Sequence, residues 1–116
     1  MTDQVRTAHL LIKHTKSRNP TSRRTNERVL LSPQDARNEL ESYKSKIISE
    51  GIAESFPKYA SLRSDCSSFQ AKGDLGFFGR GMMQKPFEDA SFSLQVGHMS
   101  DIVETDSGMH LIYRIQ

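Results

Sequence analysis

The sequence predicts an α+β fold in one domain that spans residues 1–116. Alternating apolar and polar residues mark strands near both ends of the chain, and apolar residues at helical spacing fill much of the region between them. The predicted order of elements is strand, three helices, strand, helix, strand, strand. Because the helices gather mainly between the first two strands, this order indicates α+β and not the regular alternation of an α/β fold.

The first strand is predicted over residues 5–13, VRTAHLLIK. Its alternation places Leu10 and Ile12 on one face of the strand and His9 and Lys13 on the other. Since a strand rises by roughly 3.3 Å per residue, we expect His9 and Lys13 to lie about 13 Å apart on their shared face.

Residues 14–31 follow as a polar, basic loop without periodicity, and loops of this length in small domains are usually functional or disordered. The chain has a net charge of +2, but the segment 6–28, with seven bases and one acid, carries +6 and leaves −4 on the rest. Such a local block suggests a compact anionic partner, and the alternative is an ordinary solvated loop. A nucleic acid is not expected, because the block lacks interleaved aromatic residues and the acidic remainder would repel a long polyanion.

Ser32 and Pro33 begin the strongest predicted helix, since serine is a good N-cap and proline suits the first helical position. Apolar residues then recur at helical spacing as far as Gly51, which ends the helix. A Ser-Pro pair also has the form of a phosphorylation site, but a helix start is the favoured interpretation. The apolar residues of this helix are Ala36, Leu40, Tyr43 and Ile47.

The rest of the chain divides into shorter elements. Glu88 and Asp89 lie near the start of one predicted helix, where the helix dipole favours acidic side chains. The last two strands are joined by Asp106-Ser107-Gly108, a turn of the kind that closes hairpins. The predicted elements are a helix at 55–63, a further helical turn at 66–70, a strand at 75–78, a helix at 86–93, and strands at 101–105 and 109–115.

The segment 73–90, GDLGFFGRGMMQKPFEDA, combines four glycines with large apolar side chains. Glycine lets the backbone turn tightly and approach a ligand closely. A phosphate-binding loop would carry Lys followed by Ser or Thr after its last glycine, whereas here the sequence around the last glycine is Arg80-Gly81-Met82. The pattern therefore predicts an apolar pocket built on a loop.

Composition limits the location of the protein and the partners it binds. No apolar run approaches the roughly 20 residues that a membrane span requires, and the N-terminus lacks the apolar core of a secretory signal. We therefore expect no membrane partner. The single cysteine cannot form an internal disulfide, which favours a reducing compartment. We expect the cytoplasm, with the nucleus left open for a chain of 13.2 kDa.

Five motifs occur together in an order that closely resembles the parvulin family of peptidyl-prolyl cis/trans isomerases. The basic loop makes the chain similar to the branch that acts on phosphoserine-proline and phosphothreonine-proline bonds. Because the chain has no tryptophan, it resembles stand-alone members without a WW domain. The resemblance implies a four-stranded antiparallel sheet surrounded by four helices, a monomer, and no cofactor or metal. The motifs are AHLLIKH at 8–14, SDCSS at 64–68, GDLG at 73–76, MQKPFEDASF at 83–92 and TDSGMHLI at 105–112.

The resemblance also implies a proline-binding pocket formed by Leu75, Met83 and Phe87, with Gln84 beside it. The alternative for the three apolar residues is ordinary core, and their placement around flexible glycines favours the pocket. Rotation about an X–Pro bond makes and breaks no covalent bond, so an apolar clamp and a few polar groups suffice.

A polar cluster of His9, Cys66, Thr105 and His110, with Ser107 in support, matches the catalytic residues of the family. The two histidines lie on the first and last strands and are expected side by side, sharing a hydrogen bond. Alternatives for Cys66 are the nucleophile of a thiol hydrolase, a small buried apolar residue, or a zinc ligand with the two histidines. We favour a thiol whose polarity tunes the imide environment without covalent attack.

Phosphate binding is assigned by the resemblance to Lys13 and Arg18, with Arg23 and Arg24 near them. Relatives often have two adjacent arginines before the loop proline, whereas this chain has Arg18 followed by Asn19. We expect phosphorylated Ser-Pro or Thr-Pro proteins as partners. The alternatives are a parvulin of broad specificity that assists folding and a phosphopeptide-binding module with incidental isomerase activity.

Overall fold

An antiparallel sheet of four strands in the order β2–β1–β4–β3 forms the centre of the protein, as a computed structural model that describes residues 3–116 shows. The predicted α+β class and the predicted antiparallel sheet are confirmed. The elements are β1 (Gln4–Ile12), α1 (Pro33–Glu50), α2 (Ile52–Arg63), a 3₁₀ helix (Ser67–Ala71), β2 (Asp74–Gly79), α3 (Lys85–Ser93), β3 (Val103–Thr105) and β4 (Gly108–Arg114).

Helices cover both faces of the sheet. Leu10 and Ile12 of β1 pack into the larger core with Leu40 and Ile47 of α1 and Phe56 of α2. A smaller core on the opposite face joins the sheet to α3 and contains Val5, Phe78, Phe87 and Ile112. In the described residues 3–116, no helix has the length and apolar character needed to cross a membrane.

The predicted start of α1 is confirmed in atomic detail. The Ser32 hydroxyl accepts a hydrogen bond from the backbone N–H of Asp35 at 3.0 Å, and Pro33 opens the helix. Gly51, with φ of 98°, separates α1 from α2. The helix α2 begins at Ile52, three residues earlier than predicted, because Gly51 ends one helix and starts the next.

The expected fourth helix is a single 3₁₀ segment, so the sheet is surrounded by three α-helices and one 3₁₀ helix. Its end is a left-handed residue, Lys72, whose N–H bonds back to Phe69 at 3.2 Å. The strand β3 is also shorter than predicted. Ser100 precedes β3 in the chain, and its hydroxyl accepts the N–H of Ile112 in β4 at 3.0 Å. A side-chain oxygen therefore takes the place of the backbone carbonyl that a longer β3 would offer to β4.

A bulge in β2 decides which apolar side chains face α3. Arg6 of β1 lies opposite Phe77 and Ala8 lies opposite Asp74, so a single β1 residue faces both Leu75 and Gly76. Gly76 has a left-handed backbone with φ of 73°. As a result Leu75 joins Phe78 in the smaller core, while Phe77 stays 54% exposed.

Gly73 lets β2 approach β1 closely beside His9. Its carbonyl accepts the N–H of His9 at 2.9 Å, and its φ is 83°. A Cβ atom at this position would lie 2.5 Å from the carbonyl oxygen of His9 and 2.9 Å from the Cβ of Ala60. A Cβ on Gly76 would meet nothing within 4 Å.

Gly73 and Gly76 both have a left-handed backbone, but only Gly73 is in close contact with β1. Comparing alanine variants of the two therefore measures how much the close contact at Gly73 contributes to stability. We expect Gly76→Ala to lower the free energy of unfolding by about 1 to 2 kcal/mol, the cost of a left-handed backbone alone. Gly73→Ala is expected to cost clearly more, because the His9 backbone must also move. Urea unfolding of both variants measures the difference, and equal losses would contradict it.

Candidate active site

His9 and His110 are diagonal neighbours on the paired strands β1 and β4, where His9 faces Ile112 and His110 faces Leu11. Their Nδ1 atoms lie 3.0 Å apart, and the two rings are nearly parallel, at 20°. One Nδ1 therefore donates a hydrogen bond and the other accepts it. The expected pairing of the two imidazoles is present.

Thr105 continues this polar chain away from the histidines. Its hydroxyl lies 2.7 Å from His110 Nε2 and accepts the N–H of Ser107 at 3.1 Å. Burial and the nearby charge of His9 hold the pKa of His110 well below its usual value. His110 is therefore neutral at pH 7, and Thr105 and His9 fix the orientation of its ring.

Cys66 is a half-buried free thiol beside this pair. Burial alone would raise the pKa of the thiol, but interaction with His9 and hydrogen bonding from Ser68 outweigh it and lower the pKa to about 6. The Cys66 thiol therefore ionises at lower pH than an ordinary thiol. The second ring nitrogen of His9, Nε2, is buried and makes no hydrogen bond to any described residue.

An apolar cavity of about 180 Å³ opens next to the histidines, and we call it the apolar pocket. Phe87 packs edge-on against both imidazoles, with ring centroids 5.4 Å from His9 and 5.1 Å from His110. The predicted Leu75, Met83 and Phe87 therefore share one cavity with the polar cluster. The residues that line it are His9, Cys66, Leu75, Met83, Gln84, Phe87, Ser107 and His110.

Gln84 ties the start of α3 to the turn between β3 and β4. Its side-chain N–H donates to the Ser107 hydroxyl at 2.9 Å, and its side-chain oxygen accepts the N–H of Asp106 at 3.1 Å. These two hydrogen bonds connect the start of α3 to the β3–β4 turn at the rim of the apolar pocket, although the two segments are far apart in sequence.

A second cavity, of about 210 Å³, adjoins the apolar pocket and shares Cys66 and Ser107 with it. We call it the cationic cavity, because Lys13, Arg18 and Arg23 line it. Lys13 is buried, and burial together with the charge of Arg23 lowers its pKa. The remaining lining residues are Leu11, Asn19, Cys66, Ser67 and Ser107.

Arg24 is the one predicted basic residue that the structure does not place on the cationic cavity. Its Nε is buried without a hydrogen-bond partner among the described residues. Asn19 does line the cavity, so the position that departs from the family pattern faces the site directly.

Sequence reasoning missed Asp65, a carboxylate only 1% exposed that bonds to the backbones of Lys13 and Arg23 without lining the cationic cavity itself. The only signal in the sequence was the place of Asp65 directly before Cys66 in the motif SDCSS at 64–68. Among residues 3–116, no three His, Cys, Asp or Glu side chains are grouped as metal ligands. The zinc alternative for His9, Cys66 and His110 therefore has no supporting geometry.

Comparison with known proteins gives consistent matches across the whole chain. The family model described as the PPIC-type PPIASE domain of the rotamases matches residues 9–116. Among curated relatives, "Peptidyl-prolyl cis-trans isomerase NIMA-interacting 1" of Theileria annulata is 51% identical over 114 residues, covering 97% of this chain and 80% of the relative. "Peptidyl-prolyl cis-trans isomerase ESS1" of Saccharomyces cerevisiae is 50% identical over 112 residues, covering 97% of this chain and 65% of the relative.

Solved structures share the same fold. Peptidyl-prolyl isomerase ESS1 from Candida albicans superposes with a TM-score of 0.93 at 40% identity, covering 98% of this chain and 63% of that one. The solution structure of TbPIN1 superposes with a TM-score of 0.89 at 48% identity and full coverage of both chains. The chain thus spans somewhat less than two thirds of the two ESS1 proteins.

The depressed pKa of Cys66 predicts the pH at which the thiol becomes reactive. Alkylation by iodoacetamide requires the thiolate, so its rate should rise with a midpoint near pH 6 in the folded protein. His9→Ala should move the midpoint upwards, because the interaction that opposes burial is lost. A midpoint in the native protein near the ordinary thiol value of about 8.5 would contradict the assignment.

Proposed function

The chain belongs to the PPIC-type rotamase family and is a peptidyl-prolyl cis-trans isomerase, and we propose that it acts on prolines preceded by phosphoserine or phosphothreonine. One observation carries this proposal: the cationic cavity and the apolar pocket are adjacent and share Cys66 and Ser107. A peptide with its proline ring in the apolar pocket would present the preceding side chain to Lys13, Arg18 and Arg23.

The barrier to be lowered is the resonance of the imide bond. Rotation about an X–Pro bond takes tens to hundreds of seconds without help, because the planar amide must lose its conjugation. Leu75, Met83 and Phe87 hold the pyrrolidine ring while the preceding carbonyl group turns. Burial against Phe87 and the imidazoles also removes water, and with it the hydration that favours the planar, polar imide.

Cys66 acts on the charge of the rotating carbonyl group. The planar imide has a partly negative oxygen, and this charge falls as the bond twists. A thiolate in the same cavity repels the planar form more than the twisted form, so it favours the transition state over the ground state. No bond to sulfur forms in this scheme. The His9–His110–Thr105 chain keeps the neighbouring polar groups fixed.

The cationic cavity supplies the preference for phosphate. A phosphoryl group carries roughly −1.5 to −2 charges at neutral pH, and a single charge pair at 4 Å contributes at most about 4 kcal/mol before desolvation. Lys13 gives one of its three N–H donors to the carbonyl of Thr21, at 2.7 Å, and keeps two for a ligand. Asn19 offers a neutral amide in place of a second guanidinium, which reduces the charge in the cavity.

The proposed partners are proteins that carry phosphorylated Ser-Pro or Thr-Pro sites, and the enzyme is proposed to act on them as a monomer. A free, ionised Cys66 is compatible with a reducing compartment. We therefore propose a cytoplasmic location, with the nucleus left open.

Three peptides that differ only before proline test the specificity. We expect kcat/KM for a phosphoserine-proline peptide to exceed that for the serine-proline peptide by at least about tenfold, with glutamate-proline between them. Lys13→Ala and Arg18→Ala should each remove most of this advantage.

Arg24→Ala is the matched control, because it removes a nearby cation that does not line the cationic cavity. It should keep the ratio of the phosphorylated to the unphosphorylated peptide within about twofold. Equal rates on all three peptides with the native enzyme would favour the broad-specificity alternative.

Replacing Cys66 tests the role of charge in the chemical step. Cys66→Ser keeps the shape of the side chain but stays un-ionised, so kcat should fall by roughly tenfold to a hundredfold while KM for the phosphopeptide changes little. In the native enzyme, kcat should fall as pH drops through about 6, because the thiolate is protonated. A serine variant with native kcat would contradict this mechanism.

A further inference from the structure

We propose that Asp65 is a positioning residue that holds the cationic cavity in the shape that receives a phosphate before any ligand arrives. This inference rests on the phosphopeptide specificity proposed above. Asp65 does not line the cationic cavity. Two of the three cations that do, Lys13 and Arg23, nevertheless donate their backbone N–H groups to Asp65.

The Asp65 backbone joins β1 to the basic loop. Its N–H donates to the carbonyl of Leu11 at 2.8 Å, and its own carbonyl accepts the N–H of Arg23 at 2.9 Å. Cys66 follows directly in the chain, so the same short segment fixes the basic loop and the thiol. Asp65 therefore joins the basic loop to Cys66, which lines both the cationic cavity and the apolar pocket.

The buried carboxylate of Asp65 receives three further donors. One oxygen accepts the backbone N–H of Lys13 at 3.0 Å. The other accepts the Ser22 hydroxyl at 2.7 Å and Nη1 of Arg63 at 3.1 Å. These charge-assisted bonds satisfy a group that would be costly to bury alone.

Hydrogen bonds connect Asp65, Lys13 and the basic loop in a closed circuit. The Lys13 ammonium donates to the carbonyl of Thr21 at 2.7 Å, and the next residue, Ser22, returns to Asp65 through its hydroxyl. Lys13 is therefore held at its backbone by Asp65 and at its tip by the loop. Arg18 is anchored separately, since its N–H donates to the carbonyl of Asp106 at 2.7 Å.

A carboxylate suits this position because it opposes the repulsion between the cations. The charge of Arg23 lowers the pKa of Lys13, after the larger effect of burial, and the charges of Asp65 and then Cys66 act in the opposite direction. The buried carboxylate of Asp65 thus reduces the repulsion between Lys13 and Arg23 before a phosphate binds. Binding then loses little free energy to ordering the site.

Three variants separate this role from general stability. Asp65→Asn removes the charge, and Ser22→Ala removes the hydroxyl that donates to Asp65 and also accepts the N–H groups of Arg24 and Thr25 within the loop. Glu39→Gln is the matched control, because Glu39 also pairs with Arg63 but makes no hydrogen bond to the basic loop. Each variant is assayed on the phosphoserine-proline and serine-proline peptides, and its thermal midpoint is recorded.

We expect Asp65→Asn and Ser22→Ala to raise KM for the phosphopeptide by roughly tenfold, with kcat/KM for the serine-proline peptide within about twofold of native. Their combined effect should be less than additive, since both disturb one contact. Glu39→Gln should leave the ratio of the two peptides unchanged. If Asp65→Asn does not fold, Ser22→Ala decides the result.

Backbone amide hydrogen exchange of residues 14–31 gives a readout that does not depend on phosphate preference. Exchange should be faster in Asp65→Asn and Ser22→Ala than in Glu39→Gln. The inference would be overturned if Ser22→Ala kept both the native preference for the phosphopeptide and the native amide exchange rates. It would also be overturned if the variants lost kcat/KM equally on the phosphoserine-proline and serine-proline peptides. A native enzyme without phosphopeptide preference would instead overturn the proposed function, and the exchange comparison would then decide the role of Asp65.

Discussion

The position of β1 in the middle of the sheet is the constraint on which the rest of the site depends. β1 pairs with β2 on one side and β4 on the other, so the first strand of the chain contacts two strands that are far from it in sequence. Strand geometry fixes the positions of His9 through Ile12, and Lys13 follows directly after the last residue of β1. A single extended segment therefore sets both the position of the imidazole pair and the distance from it to the cations.

The site concentrates buried polar groups on one side of a sheet whose other side is apolar. His9, Lys13, Thr105 and His110 are each less than 9% exposed, and each makes a hydrogen bond to another member of the site or to loop backbone, although Nε2 of His9 has no partner among the described residues. Burial lowers the pKa of Lys13 and His110, while contact with His9 lowers that of Cys66. Burial and close contact thus shift the pKa of each group, and a change in the charge of one group alters the pKa of its neighbours.

The sequence predicted the features that depend on local chemistry or on motif. Ser32 and Pro33 marked the start of α1, and the alternation in β1 separated His9 from Leu10 correctly. It did not predict which of the apolar residues of β2 face α3. Strict alternation would place Leu75 and Phe77 on the same face of β2, whereas the bulge at Gly76 places Leu75 on the same face as Phe78. The Ser100 contact that shortens β3 and the bonds of Asp65 join segments distant in sequence, and no local pattern encodes them.

The basic loop contains its own backbone hydrogen bonds, and these affect the kinetics of encounter. The N–H of Ser22 donates to the carbonyl of Glu27 at 2.9 Å, and that of Val29 donates to Pro20 at 2.7 Å. The loop is therefore a small hairpin in the free protein, so capture of a ligand need not wait for a folding step. Its exposed arginines attract anions over a distance of roughly 10 Å at ordinary ionic strength. For the proposed phosphopeptide ligand, added salt would then lower the association rate more than it raises the dissociation rate.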